Sequence, residues 1–336
     1  MTVRLLLAML LGLAACSGEP AVHRFAGATM GSTYEVKFVG DAVAADLQRA
    51  VEAILADYDR AFSKWRDDSE IVRCNAAAAD GEPFAASALF ARVLGQALEI
   101  AAATDGAFDP TVEPLLRLYR AAKQNGGELD PVELAAAGAR VGYRHVELRD
   151  GVVHRSKPGV ELDLDGIVAG ACIDDIAREL GRLGVRGCYL EVTGEVYCAG
   201  EKAPGRPWVV GVVDPRSDVT GGDVPLATLP LRDRALCTSG DYRNAFASGG
   251  RIVHHIFDPR TGQSADSKVV SASVVGPDAA VADALATALI VLGEPGAARL
   301  LEREYWQRAG VGALLLVAGE DGASGPRAVE LRWPGQ

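Results

Sequence analysis

A predicted helix at residues 277–293 constrains the fold of this chain most strongly. It begins with Pro-Asp and ends with Gly, which are start and stop signals for a helix. Apolar residues fall on one of its faces at helical spacing, namely Val281, Leu285, Ala288, Leu289 and Leu292. The opposite face also carries apolar residues, Ala280 and Ile290. We therefore expect protein to cover this helix on both sides.

Asp283 and Thr287 share that opposite face because they are four residues apart. Neither residue type is favoured in the middle of a helix. A carboxylate and a hydroxyl are hard oxygen ligands, of the kind that Mg²⁺ takes beside a substrate phosphate. The alternative is a solvated Asp beside a Thr that hydrogen-bonds to its own helix. The spacing alone leaves both interpretations open.

The N-terminus has the pattern of a lipoprotein export signal. Arg4 precedes an apolar run at residues 5–15, which is too short to span a bilayer, and Cys16 follows. The sequence L-A-A-C resembles the bacterial lipobox, whose Cys is lipidated and becomes the mature N-terminus. We predict a signal peptide at 1–15, a lipid-anchored tether at 16–25 and one domain at 26–336, in the bacterial cell envelope facing the periplasm or the outside. A buried N-terminal helix is the alternative.

Composition narrows the class of ligand. The net charge of −11 argues against a surface that binds nucleic acid or anionic membrane. A polyphosphate ligand would therefore need a metal ion or a local group of backbone N–H donors.

Five cysteines remain besides Cys16, in no C-x-x-C or zinc pattern. We expect mostly buried free thiols, with one disulfide possible.

The pattern of elements predicts an α+β fold with a mixed, largely antiparallel sheet packed with helices. Helices are predicted at residues 42–65, 87–104, 131–139, 172–183 and 299–308. Strands are predicted at 33–39, 146–148, 152–154, 189–197, 208–213, 225–231, 269–275, 312–317 and 329–333. A further strand is expected to carry Asp163 and Asp165 into a glycine turn, and 120–130 to be a surface loop. The glycines do not fit G-x-G-x-x-G, so a dinucleotide-dependent dehydrogenase is not supported.

The loop at residues 63–70 is polar around a single aromatic residue, Trp65. Two interpretations stay open for this side chain. It caps the hydrophobic core, or it offers a stacking platform to a planar ligand.

Seven segments, in order, resemble the FAD:protein FMN transferase family, the ApbE-like flavin transferases. They are T-M-G-S-T-Y-E-V (29–36), F-S-K-W-R-D-D-S-E-I-V-R-C-N (62–75), T-D-G-A-F-D-P-T-V-E-P-L (104–115), L-D-L-D-G-I-V-A-G (162–170), T-S-G-D-Y (238–242), H-I-F-D-P-R-T-G (255–262) and A-D-A-L-A-T-A-L (282–289). The resemblance implies a T-fold-like architecture and Mg²⁺-dependent transfer of FMN from FAD to a Thr or Ser of a partner protein, with release of AMP.

The resemblance also implies roles for individual residues. Asp283 and Thr287 match metal-binding positions, and Gly166 matches a position whose backbone carbonyl completes that site. His255 matches the family's motif histidine and would take the proton of the acceptor hydroxyl; His254 is the alternative base. The positions that match FAD contacts are Met30, Trp65, Ala107, Phe108, Asp109, Asp163, Ala169 and Phe257. Ser239 and Gly240 match the S-G-D-Y loop.

Two positions depart from the family pattern. Ala169 stands where relatives usually carry Lys or Glu, and Thr193-Gly194 stands where Gly-Gly is usual. Both bear on nucleotide affinity and neither touches the metal pair. Residues 321–327 resemble a flavin-acceptor motif but end in Arg instead of a hydroxyl residue, so we expect no self-flavinylation.

Two other functions remain open at the level of sequence. One is a metal-dependent FAD pyrophosphatase that gives FMN and AMP in the same site. The other is a non-catalytic lipoprotein that binds FAD, which the Ala169 departure favours. For the transferase, the family resemblance implies a subunit of a membrane redox system as the flavin acceptor.

Overall fold

The computed structural model describes residues 20–126, 128–213, 225–240, 245–248, 251–319 and 325–334. The helices are α1 (Ala44–Phe62), α2 (Glu70–Ala78), α3 (Ala88–Ala103), α4 (Glu113–Asn125), α5 (Pro131–Gly138), α6 (Asp165–Arg182), α7 (Ala279–Leu301) and α8 (Glu304–Arg308). The strands are β1 (Val22–Thr29), β2 (Ser32–Val39), β3 (Phe84–Ala85), β4 (Val146–Arg149), β5 (Val152–Arg155), β6 (Gly187–Val192), β7 (Glu195–Ala199), β8 (Trp208–Val213), β9 (Pro225–Leu231), β10 (Arg234–Gly240), β11 (Ala245–Ser248), β12 (Arg251–His254), β13 (Phe257–Asp258), β14 (Gln263–Ser264), β15 (Val269–Gly276), β16 (Gly312–Val317) and β17 (Arg327–Leu331).

An eight-stranded sheet forms the scaffold, in the order β1-β2-β6-β7-β10-β15-β16-β17. Each neighbouring pair in it is antiparallel. Because successive side chains of a strand point to opposite faces, Val274 and Val275 of β15 enter different clusters of the core. The predicted α+β class with a largely antiparallel sheet is confirmed.

The two faces of the sheet are covered differently. The larger core cluster joins the sheet to α1, α3, α6 and α7. On the other face, the β8–β9 hairpin brings Trp208 and Leu229 against Val196, Leu236 and Leu314. Both faces are therefore buried, which explains why β16 reads as a continuous apolar run instead of an alternating one.

Helix α7 lies inside the core, as its two covered faces predicted. Asp283 and most of its alanines and leucines are buried. Gly293 has φ of 65°, so the predicted stop is a kink, after which the helix resumes to Leu301. Among the described residues, α7 alone is long and apolar enough to cross a membrane, with a mean hydropathy of 1.4. Its burial identifies it as a core helix of this fold.

Helices α6 and α7 cross in backbone contact. A Cβ on Gly170 would lie only 2.3 Å from the carbonyl oxygen of Ala279, so glycine alone permits the crossing. Asp174, one turn further along α6, accepts hydrogen bonds from the N–H groups of Ala279 at 2.9 Å and Ala280 at 3.0 Å. A carboxylate there satisfies free N–H groups at the N-terminus of a helix. This crossing fixes the start of α7, and with it Asp283, against α6.

Gly170→Ala should therefore destabilise the protein. The added methyl group has no room against the α7 backbone, and overpacking typically costs about 1–3 kcal/mol. Gly181→Ala is the matched control on the same helix, where a Cβ meets nothing within 4 Å. It should stabilise by about 0.5–1 kcal/mol, because Ala is the better helix former. Urea unfolding of both variants measures the two free energies, and equal stability would contradict the close crossing.

The structure corrects several sequence-based predictions. The strand expected to carry Asp163 and Asp165 is wrong: 160–164 form no strand, and α6 begins at Asp165, whose N–H donates to Asp163 Oδ1 at 2.9 Å. The loop expected at 120–130 is wrong in its first half, because α4 continues to Asn125. Strand β1 begins at Val22, so the last residues of the predicted 16–25 tether belong to the sheet.

Candidate active site

Two adjoining cavities bring together the residues that the sequence singled out. The larger, of about 630 Å³, is lined by twelve of them: Trp65, Ala107, Phe108, Asp109, Asp163, Gly166, Ser239, Gly240, His255, Phe257, Asp283 and Thr287. The smaller, of about 500 Å³, is lined by Met30, Trp65 and Ala169. Both volumes are in the usual range for ligand sites. Cys16 and residues 321–324 of the acceptor-like motif lie outside the described residues.

Side-chain oxygens of α7 and the backbone of α6 meet in the larger cavity, which is lined by Gly166, Asp283 and Thr287. Asp283 is buried, and its Oδ2 accepts from the Gly170 N–H at 3.1 Å. Thr287 Oγ1 lies 3.0 Å from Ser239 Oγ of β10. A Cβ on Gly166 would lie 3.5 Å from Thr287 Oγ1, so the Gly166 backbone passes close to this hydroxyl. Gly166 itself has non-helical torsions, φ −80° and ψ 15°.

The electrostatics of this end of the cavity favour a cation. Burial, together with Asp165 and Asp174, raises the pKa of Asp283 to about 7. Burial and the neighbouring Asp283 raise the pKa of Glu195 well above its usual range. A carboxylate, a hydroxyl and a backbone carbonyl are ligands that suit Mg²⁺, and a divalent ion would offset the repulsion between these acids. Within the described ranges, no cluster of three or more His, Cys, Asp or Glu residues suits a metal.

The side chains of the adjacent histidines His254 and His255 have different surroundings. His255 lines the larger cavity. His254 is buried, its Nδ1 accepts from the Ile256 N–H at 3.3 Å, and its Nε2 lies 2.7 Å from the Ala265 carbonyl oxygen. This arrangement requires the proton of His254 on Nε2 and occupies both ring nitrogens. Of the two candidate bases, only His255 faces the cavity.

Asp109 supports the loop that lines the cavity from the α4 side. Its Oδ1 accepts from the Thr111 N–H at 2.8 Å, and its Oδ2 accepts from the Tyr143 N–H at 2.7 Å. Burial raises the pKa of this carboxyl, and these hydrogen bonds oppose that rise. Its two oxygens are thus used within the protein, where they position the neighbouring Ala107 and Phe108.

The rim of the smaller cavity carries exposed and strained residues. Trp65 is 93% exposed, so it does not cap the core, and of its two interpretations the ligand platform agrees with this position. Met30 has φ of 48° in the tight turn between β1 and β2. Ala169 on α6 is buried and lines the same cavity.

Sequence reasoning missed three charged residues at or beside the cavities: Lys64, Glu195 and Asp174. Strand β10 pairs with β7 as far as Leu236. Beyond that residue, the Glu195 side chain takes the place of the strand, because its Oε2 accepts a hydrogen bond from the Thr238 N–H at 2.9 Å. The sequence predicted one strand at 189–197, whereas the structure has a turn at residues 193–194 between β6 and β7, so the position of Glu195 at the start of a new strand was not predicted. Asp174 acts on a helix more than 100 residues away, for which no local signal exists.

All five cysteines outside the N-terminal segment, Cys74, Cys172, Cys188, Cys198 and Cys237, are buried and free. The prediction of mostly buried free thiols is therefore confirmed.

The chain is similar to known proteins over most of its length. The chain is 33% identical to the FAD:protein FMN transferase of Haemophilus influenzae, over 88% of each chain, and 32% identical to that of Vibrio cholerae, over 94% of this chain and 93% of the other. The structure of the apo flavinyl transferase ApbE of Pseudomonas stutzeri superposes with a TM-score of 0.81 at 32% identity, covering 94% of this chain and 96% of the other. The flavin transferase ApbE of V. cholerae gives 0.77 at 29% identity, covering 92% and 97%.

Fold and cavities define an α+β protein with a two-part ligand cleft: Trp65 lies where the two parts meet, and a carboxylate and a hydroxyl line the larger part. The profile of the ApbE family matches residues 30–314. The chain belongs to the ApbE family.

Proposed function

We propose that this protein transfers FMN from FAD to a Thr or Ser hydroxyl of a partner protein, with Mg²⁺, and releases AMP. The observation that carries the proposal is the pair of adjoining cavities, with Asp283 and Thr287 at one end and the exposed Trp65 at the junction. The relatives named as FAD:protein FMN transferases match over nearly the whole chain, and the family resemblance points to a subunit of a membrane redox system as the acceptor.

In this proposal, different residues of the cleft bind FAD and the metal ion. Trp65, Met30 and Ala169 would bind the planar and sugar parts of FAD, while Asp283, Thr287 and the Gly166 carbonyl would hold Mg²⁺. The ion would polarise the phosphate and neutralise charge on the departing AMP.

At the reacting end, the acceptor oxygen forms a bond to the phosphorus of FMN as the bond from that phosphorus to AMP breaks. His255 takes the hydroxyl proton, as a general base in hydrogen-bond reach would.

One experiment separates the three candidate functions. The protein is incubated with FAD, Mg²⁺ and a candidate acceptor, then flavin fluorescence in a denaturing gel and AMP release are measured. Covalent flavin on the acceptor supports transfer. AMP without an adduct supports the pyrophosphatase, and FAD binding without either product supports a binding protein.

We further propose that Cys16 is lipidated and holds the protein in the bacterial cell envelope, facing the periplasm or the outside. The lipobox-like sequence before it supports this location. Cys16→Ser should leave an unprocessed or soluble exported form. Membrane fractionation and intact mass measure the change, and a variant with unchanged fractionation and mass would refute the anchor.

Ala169→Lys should tighten FAD binding. The Ala169 methyl group offers FAD neither charge nor hydrogen bond, whereas an ammonium that reaches a polar group of the nucleotide adds about 1–3 kcal/mol. The gain should be the same in ground and transition states, so kcat should change little. FAD titration and transfer at saturating FAD measure the two quantities. Equal or weaker FAD affinity in the variant would mean that another side chain already serves this position.

A further inference from the structure

Lys64 lies on the ridge between the two cavities. Among the residues that the structure describes, the cavities share only Lys64, Trp65 and Asp165. Lys64 follows Ser63, the C-cap residue of α1. Its position joins the rim of the smaller cavity to the donor-rich end of the larger one.

Carboxylates at the start of α6 hold the Lys64 ammonium. Its Nζ contacts Asp163 Oδ2, lies 2.6 Å from Asp165 Oδ2 and is 3.8 Å from Glu113 Oε2. Only 22% of the Lys64 side chain and 5% of the Asp163 side chain are exposed. Burial opposes the charge of Lys64, but Asp163 and Asp165 outweigh it and raise its pKa above the usual value. The ammonium therefore ties the segment after α1 to the start of α6.

The next residue, Trp65, depends on such a restraint. Its ring is 93% exposed, so core packing does not fix it. Beyond it, Arg66 pairs with Asp59 at 3.3 Å and Asp68 at 3.0 Å, but these groups are solvent-exposed, and exposed ion pairs contribute little. The buried contact of Lys64 with Asp163 is the stronger restraint on the backbone that carries the ring.

We propose that Lys64 is a positioning residue that holds the Trp65 ring at the edge shared by the two cavities. A planar ring of FAD then stacks on Trp65 while the pyrophosphate reaches Asp283 and Thr287. This inference rests on the proposed function and adds to it a residue that sets FAD affinity through its neighbour.

A direct contact between Lys64 and phosphate fits the surroundings less well. Asp163, Asp165 and Glu113 carry more negative charge than one ammonium offsets, even with Arg120 paired to Glu113. Lys64 thus presents no net positive charge to an anion. Its contacts serve to fix geometry instead.

A double-mutant cycle on FAD affinity tests this role. Lys64→Met keeps the alkyl stem without the charge, and Trp65→Ala removes the stacking surface. Each should raise the Kd for FAD roughly tenfold, in the range of base stacking on aromatic side chains. The double variant should bind no more weakly than Trp65→Ala alone. Quenching of FAD fluorescence measures Kd, and kcat of Lys64→Met at saturating FAD should change less than about threefold, because the contact that Lys64 supports is made before reaction.

Additive losses in the double variant, or an unchanged Kd in Lys64→Met, would overturn the inference. Lys64→Arg retains the ion pairs, so it should bind FAD like the unaltered protein; a tenfold loss there would overturn it too, even if Lys64→Met failed to fold. Arg182→Gln, which removes one charge from an exposed pair with Glu179, is the matched control. An unaltered chain that binds no FAD would refute the proposed function itself, whereas binding and transfer indifferent to Lys64 would refute only this inference.

Discussion

Asp283→Asn should abolish Mg²⁺-dependent turnover while leaving the fold intact. The amide has nearly the volume of the carboxylate, and its oxygen can still accept from the Gly170 N–H. The variant lacks the charge that a divalent cation needs in this set of donors. AMP release and adduct formation are measured across Mg²⁺ concentrations, with circular dichroism as a check on folding.

Asp278→Asn is the matched control, because it makes the same change at an exposed position just before α7, outside both cavities. It should keep full activity. Full activity of Asp283→Asn at every Mg²⁺ concentration would place the metal elsewhere.

The raised pKa of Asp283 adds a pH dependence. With a pKa of about 7, the carboxyl is protonated below that pH in the metal-free protein. Mg²⁺ must then displace the proton, so the apparent Mg²⁺ affinity should fall by about tenfold for each unit of pH below 7 and level off above it. Isothermal titration with Mg²⁺ at several pH values gives this slope, and a flat profile would contradict protonation of Asp283.

His255→Asn should lower the transfer rate by about 10²–10⁴-fold, the usual contribution of a general base. FAD affinity should change much less, because the imidazole is assigned to the acceptor hydroxyl. Single-turnover transfer and FAD titration measure the two effects separately.

Thr287→Val, by contrast, should act through the Mg²⁺ dependence and be milder than Asp283→Asn.

His154→Asn provides the control for His255→Asn, since His154 lies in β5 and lines neither cavity. Loss of FAD binding in His255→Asn, with normal turnover of the FAD that binds, would reverse the assignment of the imidazole.

Local patterns in the sequence predicted the elements whose signal is local. The stripe of Leu285 and Leu289 predicted α7, and the alternation at 33–39 predicted β2, because one buried face repeats at a fixed spacing. The strand predicted around Asp163 was wrong because the contact that decides the local structure is not visible in the apolar pattern. The apolar residues around Asp163 suggested a strand, but its carboxylate binds the N–H of Asp165 and starts a helix.

The spacing of the site could be predicted only in part. Asp283 and Thr287 are four residues apart, so one helix face joins them in any fold. Lys64, Asp174 and Glu195 act through partners that are distant in sequence. The periodicity of one sequence cannot predict such contacts. The resemblance to a family supplied the positions that match FAD contacts; the departure at Ala169 had to be judged from the structure, where it lines the smaller cavity.

The crossing of α6 and α7 has a consequence for the choice of ion. Gly170 packs against Ala279, and Asp174 binds the first N–H groups of α7, so the two helices are joined at this point. Gly166 lies one turn before that junction in α6 and Asp283 one turn after it in α7, so the crossing limits how far the two residues can move apart. In the proposed metal site, donors held by this crossing would favour one ionic radius, so we expect the protein to prefer Mg²⁺, which binds oxygen at about 2.0–2.1 Å, over Ca²⁺, which requires about 2.3–2.6 Å.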